Sequence, residues 1–314
     1  MELSQRGVFA FTEGLSAAEV GDAARRLESL GYSALWYPEA AGREPFVTAA
    51  LVLAATERLV AATGIVNIYG RDPMVCAMGQ QTLNEMSGGR FLLGLGVSHG
   101  PFVEGRGHKY GKPLATMRSY VEAIGECHKA ISVTKNLAAT GIEEQPISRS
   151  TGNTVRLADL GEMPIVLAAL GPKMTQLSAD ISKGSHPYNT VPEHTARARE
   201  LLGKDAWLCP MVRVCLTPDA SRAREIGRQL LGLYLQLPNY TNMLRGSGFG
   251  DADFQGGGSD RLVDALMAWG STSDLEARVR EHLDAGASHI AIQAIDPKDP
   301  ARPGWEALEA LAPN

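Results

Sequence analysis

The sequence predicts a single α/β domain over residues 1–314, built as a parallel (β/α)8 barrel of the TIM type. Three observations lead there. Short β-like runs alternate with amphipathic helical stretches from one end of the chain to the other. The runs number eight, and 314 residues that are 44% hydrophobic suffice to close and bury such a barrel. Strict βα alternation also implies parallel strands with right-handed crossovers. An open doubly wound sheet shares this local pattern and stays an alternative at this point.

Each element has a local cause. "RGVFAF" (6–11) reads as the first strand, after which Ser16 caps a helix whose Val20, Ala23, Ala24, Leu27 and Leu30 recur at helical spacing. Gly31 stops that helix before "SALWY" (33–37), the second strand. A helix over 45–56 opens on proline, which is tolerated in a first turn because its missing N–H has no partner there. "LVAATGIVNI" (59–68) is the third strand, 73–86 the third helix, "RFLLGLGV" (90–97) the fourth strand and 113–130 the fourth helix. "MPIVLAAL" (163–170), "GSHPY" (184–188) and "WLCPMVRVCLT" (207–217) are strands five to seven, followed by helices over 172–182, 192–202 and 219–235. A helix over 273–285, with Ser273-x-x-Glu276 as a capping box, leads to the eighth strand, "SHIAIQAI" (288–295), and a short "GWEALEALA" ends the pattern. Two insertions interrupt it. Residues 132–162, after the fourth helix, are polar and aperiodic. Residues 237–272, after the seventh, are glycine-rich and lead into an extra helix over 260–269. Such excursions either shape access to a barrel mouth or decorate the surface.

Composition narrows the function. The net charge is −5 with no lysine/arginine-rich run, so no nucleic-acid partner is expected. "MELSQRGVFAF" has no basic segment leading into an apolar one, and the apolar run at 47–56 ends at Glu57-Arg58. Neither a signal peptide nor a membrane span is expected, and the chain reads as cytoplasmic. Cys76, Cys127, Cys209 and Cys215 form no CxxC pair and read as buried thiols. The seven histidines show no HExxH-type spacing, so no metal site is expected.

In a parallel barrel the site is made where the strands end. Those ends carry Phe11-Thr12, Trp36 to Glu39, Gly64 to Asn67, Val97-Ser98-His99, Ala168 to Gly171 and His186-Pro187-Tyr188. No acid pair, serine–histidine–aspartate order or strand-end lysine stands out. The mouth reads as a cavity for a large planar group rather than a hydrolytic centre. Gly94-Leu95-Gly96 invites a dinucleotide-loop reading, but the sixth position of G-x-G-x-x-G is His99 and no helical run is expected before Pro113. The two glycines instead imply close approach, by a packed side chain or by a flat ligand. Gly171-Pro172-Lys173 opens a helix. Its free amides and lysine suit an anion such as a phosphate, and a plain turn with proline at the first helical position reads the same way.

Together "LGYSALWYPEAAGREP", "TGIVNIYGRDP", "GGRFLLGLGVSHG", "LAALGPKM" and "GSHPYN" resemble the luciferase-like oxidoreductase superfamily, most closely the branch that uses the deazaflavin coenzyme F420. The resemblance runs in order from residue 6 to about 235 and again over 256–295. It implies a barrel with the deazaflavin ring in its mouth, a homodimer, and hydride transfer between that ring and a small organic substrate, an enone or other carbonyl or an alcohol. By position, Gly64-Ile65 matches a non-prolyl cis peptide behind the ring, and Glu39 an acidic position near the ring's polar edge. Asn67 matches a polar contact, Val97, Ser98 and His99 the flanking segment, and Ala169 with Gly171-Pro172-Lys173 the phosphate region. One departure stands out: Ala40 occupies a position where some deazaflavin dehydrogenases carry a proton-transferring histidine. The acid–base candidates are then His99, followed by Glu39 and Tyr188. "GRGHKYGKP" (105–113) is either a flap over the site or a solvated basic loop. An FMN-dependent monooxygenase or reductase of the same fold, and a non-catalytic deazaflavin-binding protein, remain as alternatives.

Overall fold

The computed structural model of the chain describes residues 1, 3–133 and 163–313. All the strand pairings in the sheet are parallel. In chain order the strands are β1 (Arg6–Phe9), β2 (Ala34–Tyr37), β3 (Val60–Thr63), β4 (Val66–Asn67), β5 (Phe91–Gly96), β6 (Ile165–Leu167) and β7 (Gly184–Ser185). They continue with β8 (Trp207–Leu208), β9 (Met211–Leu216), β10 (Met267–Gly270) and β11 (Ile290–Ile295). Pairing runs β11-β1-β2-β3-β5-β6-β7-β8, and β9 lies beside β11. Because β8 and β9 are one stretch of chain, the ladder returns to where it began. The Cys209 and Met211 amides donate to the Ser185 and Pro187 carbonyls on one edge, and the Leu208 and Pro210 carbonyls accept from Ser288 and Ala291 on the other. The sheet therefore curls round into a TIM-barrel-like fold.

Period-two alternation sorts the strand side chains into two layers. Phe9, Trp36, Val60, Ala62, Leu92, Val166, Met211 and Ala291 pack inside the curl. Val8, Leu35, Ala61, Phe91, Leu93, Leu167, Val212 and Ile292 face outward under the helices. Full burial of side chains of this size contributes roughly 1.5–3 kcal/mol each before chain entropy is set against it.

The helices fall close to their expected places: α1 (Ala17–Ser29), α2 (Pro45–Ala55), α3 (Pro73–Ser87), α4 (Gly100–Glu104), α5 (Pro113–Val133), α6 (Pro172–Ile181) and α7 (Pro192–Leu202). Beyond them come α8 (Ala220–Leu231), α9 (Pro238–Arg245), α10 (Asp260–Leu266), α11 (Thr272–Asp284) and α12 (Trp305–Ala310). Ser16 and Glu19 form the capping box of α1. No helix among the described residues is long and apolar enough to cross a membrane.

Four expectations are corrected. The short helix α4 follows His99 directly, where no helix was expected before Pro113. The helix over 219–235 ends at Leu231, and Tyr234–Gln236 form a separate 3-10 turn. The capping box of α11 is Ser271 with Asp274 rather than Ser273 with Glu276, two residues earlier in the same Ser/Thr-rich stretch. The extra helix over 260–269 stops at Leu266. Its last residues become β10, pairing with Arg213 to Leu216 on the edge of β9 that lies beyond β7. Satisfying the open backbone groups of that edge outweighs the helical spacing. Of the two excursions, 132–162 lies outside the described residues apart from the end of α5.

Candidate active site

The wall of the mouth between β3 and β5 is shaped by one extra residue. Ala62 pairs with Leu92 and Val66 with Leu95, so Thr63, Gly64 and Ile65 stand opposite Leu93 and Gly94 alone. This is a β-bulge in a parallel pair, and it re-aims the chain from Val66 onward. Where the ladder breaks, the Thr63 hydroxyl replaces it. It accepts from the Gly94 amide at 2.8 Å and donates to the Gly94 carbonyl at 2.9 Å. The Gly64–Ile65 peptide inside the bulge is cis, as the family resemblance implies.

The two strand glycines are explained here. A Cβ on Gly94 would lie 1.9 Å from the Thr63 carbonyl oxygen, and one on Gly96 would lie 2.5 Å from Ile65 Cδ1. Of the two readings of close approach, the packed neighbour is the observed one: both glycines make room for the bulge itself. The Ile65 side chain lies over β5 and stays partly exposed, together with Gly64, Val97, Ser98 and Ala168. They form a mostly apolar shelf.

Glu39, just after β2, clamps the outer side of the bulge. Its amide donates to the Ile65 carbonyl at 3.1 Å. Its carboxylate accepts from the Asn67 amide and from Arg71 Nη1, each at 2.9 Å. Asn67 in turn accepts from the Tyr69 amide, and the Tyr69 hydroxyl accepts from the Gly111 amide. The loop over 105–113 is thereby docked against this wall, with Tyr110 donating to the Ser98 carbonyl at 3.3 Å. Ser98 holds φ 54°, a left-handed conformation uncommon for a residue with a Cβ.

His99 precedes α4. Its ring meets Phe102 edge-on at 5.7 Å and Tyr240 at 5.9 Å, and burial lowers its pKa. Ala169 is buried, and the half-buried Ala168 is the residue beside Gly96. Gly171, Pro172 and Lys173 are exposed at the start of α6, which no side chain caps. Glu39, Gly64-Ile65, Asn67, Val97-Ser98 and the residues after β6 thus occupy consecutive strands, β2 to β6, on one side of the mouth.

The barrel interior beneath the bulge and the opposite side of the mouth were largely missed by sequence reasoning. His186 stacks on Trp36 with ring centres 4.3 Å apart. Its Nδ1 donates to the Cys209 carbonyl at 2.7 Å, which leaves Nε2 unprotonated, and burial pushes its pKa down to about 4. The Trp36 indole donates to His289 Nε2 at 2.9 Å, and burial likewise pushes His289 down to about 4. Both rings are neutral at pH 7.

Above them Arg213 is 1% exposed. Its Nε donates to Gln293 Oε1 at 3.0 Å and its Nη2 to the Tyr188 hydroxyl at 3.2 Å. Tyr188, Tyr234 and Tyr240 then form a run of ring contacts, at 5.3 and 5.0 Å, that reaches His99. Burial pushes the Tyr234 and Tyr240 phenols up, so both stay protonated. The turn at Tyr234 and, from the second excursion, Tyr240 therefore cover this side. The signal available in advance was a charged residue inside "WLCPMVRVCLT", a strand otherwise apolar on both faces. Glu13, in the loop after β1, is a further residue missed: both its carboxylate oxygens are buried without a partner among the described residues.

A parallel barrel-like fold with a bulged third strand, an apolar shelf and an aromatic cover places a small-molecule site at the mouth of the barrel. A family model described as luciferase-like monooxygenase matches residues 4–289, and the chain belongs to that family. A Mycobacterium tuberculosis protein provisionally named a coenzyme F420-dependent oxidoreductase is 28% identical over 240 residues, 66% of this chain and 65% of that one. The chain thus spans just under two thirds of that relative. The solved coenzyme F420-dependent tetrahydromethanopterin reductase of Methanopyrus kandleri superposes with a TM-score of 0.71 at 16% identity, over 99% of this chain and 98% of that one. An FMN-bound type II Baeyer–Villiger monooxygenase of Pseudomonas putida, the oxygenating constituent of 3,6-diketocamphane monooxygenase, gives 0.65 at 14% identity, over 98% and 96%. At these identities the two structures speak for the fold.

Proposed function

We propose that the protein is an F420-dependent oxidoreductase that moves a hydride between the deazaflavin and a small carbonyl compound, enone or alcohol. The observation that carries this reading is the shelf of Gly64, Ile65, Val97, Ser98 and Ala168. Two glycines let the bulge settle against β5, and the shelf is mostly apolar, with Asn67 and Ser98 at its border and the Glu39 carboxylate spent behind it on Arg71 and the Asn67 amide. The residues present fit a planar ring there. Asn67 and Ser98 border its polar edge, and Ala169 leads into Gly171-Pro172-Lys173, whose uncapped helix start and lysine suit the coenzyme's phosphate. When bound, the deazaflavin supplies hydride donation and acceptance; orientation and the exclusion of water fall to the protein.

Glu39 is committed to Arg71 and to the Asn67 amide, so we give it the task of holding the bulge and Asn67 in place. The proton that accompanies the hydride is assigned to the His99 imidazole, which lies at the end of β5 between two aromatic rings and is kept neutral by burial. The cytoplasmic location and the homodimer belong to the same reading. Exposed Val47 on α2 and Val75, Met78 and Met86 on the neighbouring α3 support the second of these.

Titration of the purified protein with F420 and with FMN, followed by fluorescence, tests the assignment. Micromolar binding of F420 and bleaching of its absorbance by an alcohol are the expected results, with light scattering on the same preparation reading a dimer. Binding of FMN alone would overturn the cofactor. Binding of F420 with no hydride transfer to any enone or from any alcohol would make the protein a carrier.

A further inference from the structure

The geometry points to Arg213 as the seat of a carboxylate on the substrate. Three observations combine. The guanidinium is 1% exposed and has no carboxylate partner among the described residues. Its Nη1 is buried with no hydrogen-bond partner among them, while Nε and Nη2 are spent on the neutral Gln293 and Tyr188. Finally, by strand alternation Arg213 follows Met211 on the inner face of the curl, and Gln293 follows Ala291 on the same face. Both therefore stand one layer above Met211 and Ala291, toward the mouth.

A buried cation without a counter-charge is costly even after relaxation. A guanidinium cannot escape that cost by losing its proton. The group that best repays it is a full negative charge with two oxygens, since Nη1 and the Nη2 beside it present parallel N–H groups to a carboxylate. A neutral carbonyl would satisfy the hydrogen bonds and leave the charge.

The position says which molecule brings the anion. The coenzyme reading, on which this inference rests for its geometry, places F420 along β2 to β6. Arg213 on β9 and Gln293 on β11 lie across the mouth from it, the side left for the substrate. Access is controlled by Tyr188. Its ring centre is 5.9 Å from the Arg213 guanidinium carbon, and among the described residues its hydroxyl is held only by contacts of 3.2 Å to Arg213 and 3.5 Å to Tyr234. The longer of these is at the limit of a hydrogen bond. An incoming carboxylate replaces a neutral phenol as the partner of Arg213 and lets the Tyr188 ring swing toward Tyr234.

Hexanoate, hexanamide and hexan-1-ol, compared at constant ionic strength, test this through calorimetric binding and the shift in melting temperature of the full-length protein. F420 affinity is read in parallel by fluorescence. Hexanoate is expected to bind and to raise the melting temperature, whereas the isosteric amide and the alcohol do neither. In Arg213→Met, hexanoate affinity should fall by about tenfold or more while F420 affinity stays within about twofold. Arg213→Lys, which keeps the charge and serves if the methionine variant does not fold, should retain part of the response. Equal binding of hexanoate and hexanamide by the wild type would overturn the proposal, with no variant needed. So would a hexanoate response that survives in Arg213→Met, or a tenfold loss of F420 affinity there, which would hand the anion to the coenzyme. If the wild type ignores F420 but binds hexanoate through Arg213, the coenzyme reading fails and the carboxylate site stands.

Discussion

The two sides of the mouth are built by different means. From β2 to β6 the surface is made by backbone: a one-residue bulge, two glycines that admit it, and a threonine hydroxyl that mends the broken ladder. Across from it, from β7 through β9 to β11, the surface is made by polar side chains, the buried Arg213 and Gln293 and the partly buried Tyr188, above the buried His186 and His289. A backbone-made surface is rigid and generic, suited to a flat coenzyme ring. A side-chain-made one is tunable by single substitutions, as a substrate pocket has to be.

The largest effect is expected where backbone meets backbone. Gly94→Ala would drive a methyl group into the Thr63 carbonyl at 1.9 Å, and neither strand can retreat without breaking its ladder. The loss should exceed the usual overpacking cost of about 1–3 kcal/mol and abolish a cooperative unfolding transition. Gly96→Ala should be milder, because the 2.5 Å neighbour is the tip of Ile65, which can rotate. Gly171→Ala, with nothing within 4 Å, should leave the melting temperature almost unchanged. Denaturant melts of the three variants check the order; a stable Gly94→Ala protein would mean that this wall is not set by the backbone.

How much of this was legible in the sequence tracks the same division. The eight strands were readable because alternation and punctuation by glycine and proline are local signals. The shelf residues were readable because strand ends of a parallel barrel can be read directly from strand positions. β10 was not. Met-Ala-Trp-Gly continues the apolar spacing of α10, and only the open edge of β9, over fifty residues back in the chain, turns it into a strand. Nor could the sequence say that Tyr234 and Tyr240 fold back over Tyr188, since nothing local links a 3-10 turn and α9 to the end of β7. Arg213 was the exception. A lone charge in a strand apolar on both faces is a visible anomaly, and its meaning rests on the absence of a carboxylate beside it among the described residues.

Acid should separate the two sides next. His186 and His289 have their pKa pushed down by burial to about 4, from 6.5. Between those values the unfolded chain binds more protons than the folded one. Stability is therefore complete above pH 6.5 and falls as the pH drops toward 4, by on the order of 3 kcal/mol per histidine. Both rings are carried by the Arg213 side, just after β7 and just before β11, and reach β2 through the Trp36 side chain alone among its residues, so amide exchange in β7, β9 and β11 should rise before that in β3 and β5 as pH is lowered. His186→Phe, which keeps a ring against Trp36, should flatten the stability profile over that window. Uniform exchange, or an unchanged profile in the variant, would show that the neutral histidines do not distinguish the two sides.

The smallest change in stability, and the most informative change in activity, is expected at His99, where the two sides meet. His99→Phe keeps an aromatic ring against Phe102 and Tyr240, so the melting temperature should move by no more than about 0.5 kcal/mol of equivalent stability. The chemistry responds differently in the two directions. Burial lowers the His99 pKa below 6.5, so at pH 7 the ring is a neutral base ready to take a proton from an alcohol. As a proton donor to a carbonyl it works only in the fraction that is protonated, which grows as the pH falls. Alcohol oxidation by the wild type should therefore reach a plateau above neutrality and decline below pH 6.5, while carbonyl reduction rises over the same range. The phenylalanine variant should lose turnover in both directions, by about a hundredfold at its optimum, with F420 affinity preserved. Turnover and pH profiles that survive the substitution would remove His99 from proton transfer, and Glu13, whose carboxylate is buried and uncommitted on the β1 side, would be the group to examine in its place.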